Sequence, residues 1–132
     1  MKNLFLIAFL LISICLFGQS EVIINQKNGK KLKVSKNDLE KDMTWKSAKK
    51  ACKKFEDGWR IPTREELNEI YLNKDKIGGF TPKYYWSCSD YAKDKYQYGK
   101  AWIQNFDHGY QFGYDFANYG FHKLKIRLVR DF

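Results

Sequence analysis

No stretch of this 132-residue chain reaches the roughly 20 apolar residues that a bilayer-spanning helix needs, so no transmembrane helix is expected. There is no C-x-x-C pair among its three cysteines, which removes the usual zinc and dithiol redox patterns. No glycine-rich phosphate loop occurs. The two histidines, His108 and His122, have no neighbouring serine or cysteine nucleophile in a recognisable setting. Grouped with Asp107 and Asp115 they make a poor calcium site, because that ion takes about six to eight oxygens in a shaped loop and no EF-hand spacing appears. No repeat at solenoid periods is seen. Neither a metal, a cofactor nor an enzymatic activity is expected on these grounds. Acids are scarce too: 15 Asp plus Glu stand against 24 Lys plus Arg, for a net charge of +9.

What is present describes a small basic globular protein. The length allows one domain and a short appendage, and it is too short for two full cores. Hydrophobic residues at 44% and aromatics at 17% exceed what a disordered chain carries.

The first twenty residues read as a leader. Met1-Lys2-Asn3 carries one positive charge, Leu4 to Phe17 is almost unbroken apolar sequence, and Gly18-Gln19-Ser20 supplies small residues before Glu21. That order is the pattern of a cleaved secretory signal. The rivals are an uncleaved anchor helix, for which the run is short, and a lipoprotein signal acylated at Cys15. Against the second, Ile14 stands where a lipobox has Gly or Ala. Cleavage after Ser20 leaves Cys52 and Cys88 in an oxidising compartment, and a bridge between them is the default expectation. Two separate buried thiols are the alternative.

Residues 21–42 form an N-terminal hairpin and connector, and residues 43–132 the main domain. Val22-Ile23-Ile24 and Leu32-Lys33-Val34 flank Asn28-Gly29, a type I′ turn signal. From Thr44, Trp45, Ala48, Ala51, Cys52 and Phe55 recur at helical spacing, with Lys46, Lys49, Lys50, Lys53 and Lys54 on the opposite arc and Gly58 at the end. Thr63 and Glu66 stand at capping-box spacing before Leu67, Ile70 and Tyr71, which predicts a second helix. Gly78-Gly79 and Pro82 mark a loop. Strands are expected over Tyr84–Ser89, Ala101–Phe106 and Tyr110–Phe116, and a last one over His122–Arg130 by its alternation. Two helices followed by short strands is an α+β order.

The series Met43-Thr44-Trp45, Ala51-Cys52, Gly58-Trp59-Arg60-Ile61-Pro62-Thr63, Glu66-Leu67, Tyr85-Trp86-Ser87, Ala101-Trp102, Asn105-Phe106 and Ile126-Arg127-Leu128-Val129-Arg130 resembles the Lcl C-terminal domain family. That family is named for a Legionella collagen-like adhesin and is similar to the Fibrobacter major paralogous domain. The likeness runs from about Met43 to Arg130, and Gly-Trp-Arg-Ile-Pro-Thr is its most specific segment. It implies a C-type-lectin-like fold: two helices packed on short antiparallel β-sheets, with first and last strands together. It also implies display outside the cytoplasm and, in the named adhesin, binding of sulfated glycosaminoglycans. The family often carries a cysteine between Arg and Val of the final strand, paired with the helix cysteine. Leu128 stands there in this chain, and Cys88 replaces the usual Ser, so a Cys52–Cys88 bridge would be a substitute pairing. The Glu-Pro-Asn, Gln-Pro-Asp and Trp-Asn-Asp signatures of calcium-dependent C-type lectins are missing. Formylglycine-generating enzymes share the broad fold but are much larger, and no comparable reactive cysteines occur here.

Within the conspicuous segments, Trp59, Arg60, Pro62, Thr63 and Glu66 read as structural, as do Trp45, Trp86 and Trp102. Phe106, Phe112 and Phe116 are expected in the core with the last two tryptophans. The lysine arc is the first candidate binding face, since five like charges on one helix repel unless a nearby acid or an anionic ligand offsets them. Lysines of the hairpin, with Lys123, Lys125 and Arg127, are expected to add to that field. A merely solvated face is the alternative. Fourteen aromatics fall between Tyr84 and Phe121, more than a small sandwich buries. Tyr110, Tyr114 and Tyr119 with Gln104, Asn105, Asp107, Asp115 and Asn118 suit sugar rings, and bland surface is the opposing reading. The expected function is an exported, non-catalytic module that binds anionic polysaccharide or glycoprotein. The alternative is a structural or protein-interaction domain that meets an envelope protein. Nucleic acid fits the charge, but export argues against it.

Overall fold

Ile24, Leu32 and Val34 are buried on one side of the first hairpin while Ile23, Asn25 and Lys31 face water, and this alternation makes a half-buried strand pair. The computed structural model describes residues 21–53, 56–90, 100–115 and 120–132. The leader assigned to residues 1–20 lies outside them, as do Lys54, Phe55, Phe116, Asn118 and Tyr119. The elements are β1 (Glu21–Asn25), β2 (Lys31–Ser35), α1 (Trp45–Ala51), a 3₁₀ turn (Glu56–Gly58), α2 (Arg64–Leu72), α3 (Lys74–Ile77), β3 (Tyr84–Asp90), β4 (Lys100–Asn105), β5 (Gln111–Asp115) and β6 (Val129–Asp131). They form an α+β domain with two antiparallel three-stranded sheets, ordered β1-β2-β6 and β3-β4-β5. The last strand returns beside the first hairpin, Val34 opposite Val129.

The second sheet lies between the two longer helices. Successive residues of a strand face opposite sides, so Trp86 meets α1 while Tyr85 meets α2. On one side Trp45, Ala48 and Ala51 pack with Trp86, Ala101 and Ile103. On the other, Leu67 and Ile70 pack with Tyr85 and Phe106, joined by Ile24, Leu32 and Val34 from the hairpin. Thr63 supplies the expected cap for α2: its hydroxyl accepts from the Glu66 amide (3.2 Å), and the Glu66 carboxylate accepts from the Thr63 amide (2.8 Å).

Four local expectations change. The hairpin turn is not type I′, since Asn28 keeps a negative φ and only Gly29 (φ 83°) is left-handed, as in a turn closed by a G1 bulge. Helix α1 ends at Ala51, well before Gly58, and the Cys52 backbone N–H closes it by donating a hydrogen bond to the Lys49 carbonyl. A short helix, α3, follows α2 directly. The segment His122–Leu128 is not a regular strand. Leu124 bonds Met43, Lys125 bonds Tyr84 and Trp86, Ile126 bonds Leu39, and Leu128 bonds Ser35. Ile126, Arg127, Leu128 and Val129 are all buried, because this segment is a seam between both sheets rather than the cover of one.

Cys52 and Cys88 are joined, with Cα atoms 5.5 Å apart. Cys88 falls where the β3–β4 register shifts, between Trp86 and Asp90. The bridge joins residues 36 positions apart, and closing that loop contributes about 3–4 kcal/mol by loop-entropy arithmetic.

Candidate functional site

The lysine face comes from the local pattern of α1. Trp45, Ala48 and Ala51 are buried, and Lys46, Lys49 and Lys50 are exposed; Lys53, expected on the same arc, is also exposed but stands beyond the helix, which Cys52 already caps. The Thr44 hydroxyl caps the helix by accepting from the Ser47 amide (3.4 Å). There is no acid in the first turn; Lys49 and Lys50 in the last turn suit the helix dipole, and Lys46 near the first turn does not. None of these four lysines forms an ion pair among the described residues, whereas Lys33 pairs with Glu21 (3.6 Å) and Lys125 with Asp42 (3.0 Å). Arg127 is fully buried and ion-paired, so it leaves the external field to which the sequence assigns it.

The second group is dispersed. Gln104, on the central strand, is buried between sheet and α2; its amide donates to Asn68 Oδ1 (3.0 Å) and the Gly109 carbonyl (3.1 Å) and accepts from Gln111 (3.2 Å). Asn105 is also buried, and its Oδ1 accepts from the amides of Asp107 (2.7 Å) and His108 (3.2 Å), shaping the β4–β5 turn. Both side chains hold the fold together and neither is displayed. Asp107 and Tyr110 are exposed, with the Tyr110 ring 4.7 Å from His108. Asp115 is half-buried. Tyr114 is also half-buried, its ring edge-on to Trp86 at 5.2 Å and its hydroxyl hydrogen-bonded to His122 Nδ1.

Phe112, expected in the core, is 39% exposed and meets the equally exposed Tyr84 edge-on at 5.4 Å. It stands on β5 opposite Ile103, which in turn pairs with Trp86, so these share a sheet face. Alternation along Tyr110, Phe112 and Tyr114 predicts a shared face but not how much of it is covered. Trp86 connects the two candidate groups: Trp45 of α1 lies 5.3 Å from it on one side and Tyr114 on the other.

Among the described residues, clefts open at three places on the surface. One of about 760 Å³ lies between the hairpin turn and α2, and Lys30, Lys31 and Arg60 there face Glu65, Glu66 and Asp131. A second, about 370 Å³, sits between α3 and the β4–β5 turn and contains Asp75 and Asp107. The third, also about 370 Å³, is lined by Trp45, Lys46, Lys49 and Gly120.

The Gly58–Thr63 segment is anchored from within. Trp59, Ile61 and Pro62 are buried, and the Arg130 guanidinium stands 4.9 Å over the Trp59 ring. Arg60 grips both oxygens of Glu66 (2.7 Å each) and reaches Asp131 (2.9 Å). The Glu66 hydrogen bond raises the Arg60 pKa still further. Burial pushes the Glu66 carboxyl up, but bonds from Arg60 and the Thr63 amide outweigh it and hold the pKa below its ordinary value. Burial, with Asp38 beside it, pushes Tyr85 up to about 12, so its hydroxyl stays protonated and donates to Asp38 (2.7 Å). Trp102 is stacked under the Arg64 guanidinium at 3.5 Å. Among the described residues no cluster of three or more His, Cys, Asp or Glu is arranged to hold a metal.

The model of the Lcl C-terminal domain family matches residues 24–130, so the match includes the hairpin and nearly all of the fold. No curated protein is similar enough to match the chain. The chain belongs to the Lcl C-terminal domain family, a non-catalytic domain of exported adhesin-like proteins.

Proposed function

We propose that this member of the Lcl C-terminal domain family captures anionic glycans outside the cytoplasm, through the lysine face of α1, with Tyr110 and Tyr114 adding contacts from elsewhere on the domain. The observation that carries the reading is the set of exposed lysines on α1 with no acid paired to them among the described residues. Like charges three and four residues apart on a helix repel by a few tenths of a kcal/mol per pair. A polyanion laid along the face turns that repulsion into attraction. Exposed Tyr110 and half-buried Tyr114 add flat rings against which sugar C–H faces stack. The Cys52–Cys88 bridge and the family both fit an extracytoplasmic address.

Heparin affinity against salt tests the proposal. Elution is expected to move to markedly lower salt in Lys49→Glu with Lys53→Glu, since exposed charges act over about 10 Å at 0.1 M salt and less above it. Retention indifferent to salt and to this double substitution refutes it. A second reading, a protein-interaction domain of the envelope, is favoured by the exposed Tyr84–Phe112 pair. A glycan array without hits, together with capture of one envelope protein that Phe112→Ser abolishes, would select that reading.

A further inference from the structure

We propose that the cleft beside α1 is the seat of a single anionic pyranose unit, a ring carrying a carboxylate or a sulfate ester. This rests on the anionic-glycan reading above and says where the polymer is gripped. The cleft is about 370 Å³ and its lining, from Trp45, Lys46, Lys49 and Gly120, is mostly apolar. That volume is near the lower end of ligand clefts, about 300–1,000 Å³, and suits one ring rather than a length of chain.

The chemistry of the walls selects the occupant. Lys46 and Lys49 stand three residues apart, hence on one side of the helix. Lysine stems line apolar surface while the ammonium groups reach water, so the cleft has an apolar interior under a cationic rim. A pyranose offers a C–H face to the interior and an anionic substituent to the rim. The other two clefts contain carboxylates, Glu65, Glu66 and Asp131 in one and Asp75 and Asp107 in the other, which repel an anion. Among the described residues, only the α1 cleft of these three combines cations with no acid in its lining. Gly120 lines its margin, and the next residue, Phe121, is 70% exposed.

The test separates a seat from a diffuse field by removing equal charge in two places. Lys46→Gln with Lys49→Gln is compared with Lys50→Gln plus Lys53→Gln, using dextran sulfate and hyaluronan oligosaccharides as probes. Gly120→Leu narrows the cleft without changing charge, and an unchanged urea midpoint verifies its fold. The seat predicts at least a tenfold larger loss for the Lys46/Lys49 pair, and a similar loss for Gly120→Leu with the salt dependence unaltered. Losses confined to dextran sulfate assign the rim to a sulfate ester, and losses confined to hyaluronan assign it to a carboxylate. Equal losses from the two lysine pairs, with none from Gly120→Leu, overturn the seat while glycan binding stands. Failure of the unaltered protein to bind either polymer overturns both.

Discussion

Arg127 is enclosed by Asp38 (2.8 Å) and the carbonyls of Ser35, Gly78 and Gly79 (2.9–3.0 Å), and it stacks on Phe80 at 3.8 Å. Lys46, Lys49, Lys50 and Lys53 carry the same charge into water, with no counter-ion among the described residues. The division extends to the chain's other arginines: Arg60 pairs with Glu66 and Asp131, Arg64 with Gln111 and Trp102, and Arg130 with Glu21 and Trp59. Arginine's planar fork answers several acceptors at fixed angles, whereas lysine is a compact, strongly hydrated charge on a flexible stem. The difference teaches that the two cations divide the work. Arginines are tied to acids and carbonyls of the fold, where each ion pair cancels and leaves the net charge unchanged, so the surplus that makes +9 is concentrated in lysines.

The largest expected break in this contrast is Arg127→Met. It leaves Asp38, among the described residues, with the Tyr85 hydroxyl alone and removes the donor to three carbonyls, and losing one partner of a buried pair costs about 3–5 kcal/mol. A small domain has only about 5–15 kcal/mol in all. The urea midpoint should therefore fall steeply, and Arg127→Lys should recover little because a single ammonium cannot reach four acceptors. A midpoint equivalent to less than about 1 kcal/mol from the unaltered protein would show that the seam does not depend on this guanidinium.

Glu66 sits between the two regimes, mostly buried yet still tied to a partly exposed Arg60. Its folded pKa lies below the unfolded value of 4.5, so its stabilising share is complete above that pH and is lost as the pH falls through the folded pKa. Glu66→Gln should cost about 2 kcal/mol at pH 7, the scale of hydrogen bonds to charged groups. That difference should shrink below about pH 4.5, where the unaltered carboxyl also becomes protonated. Denaturation curves at pH 7, 5 and 3 measure it, and a cost constant with pH would place the interaction elsewhere.

Much of this organisation is legible in the chain because the signals are local. The Thr63–Glu66 spacing implies the cap, the Trp45–Ala48–Ala51 stripe implies α1 with its lysines opposite, and the leader-like start, read as a signal for export, implies the Cys52–Cys88 bridge. The failures share a physical cause, which is contact between distant segments. Alternation from His122 to Arg130 looks like one strand, yet backbone partners from Leu39, Met43, Trp86 and Arg60 take it in turn. Gln104 and Asn105 have the polarity of a sugar site, but the central strand places one against Asn68 and folds the other into a turn. Arg127 looks like one more surface cation until Asp38, 89 residues earlier, is brought beside it.

The smallest effect completes the comparison. Replacing Lys46, Lys49, Lys50 and Lys53 together by Gln should leave stability within about 0.5 kcal/mol, as for surface positions without internal partners. The sign should be favourable at low salt, because the substitution removes repulsion at spacings of three and four residues. Added salt should erase that gain, since it already screens exposed charges in the unaltered protein. Arg127→Met should show no such salt dependence, because its partners are enclosed. Melting at 20 mM and 500 mM salt distinguishes the two kinds of cation in one experiment. If the lysine variant is destabilised by more than 1 kcal/mol at both, these side chains are bound within the protein and are not held out for a ligand.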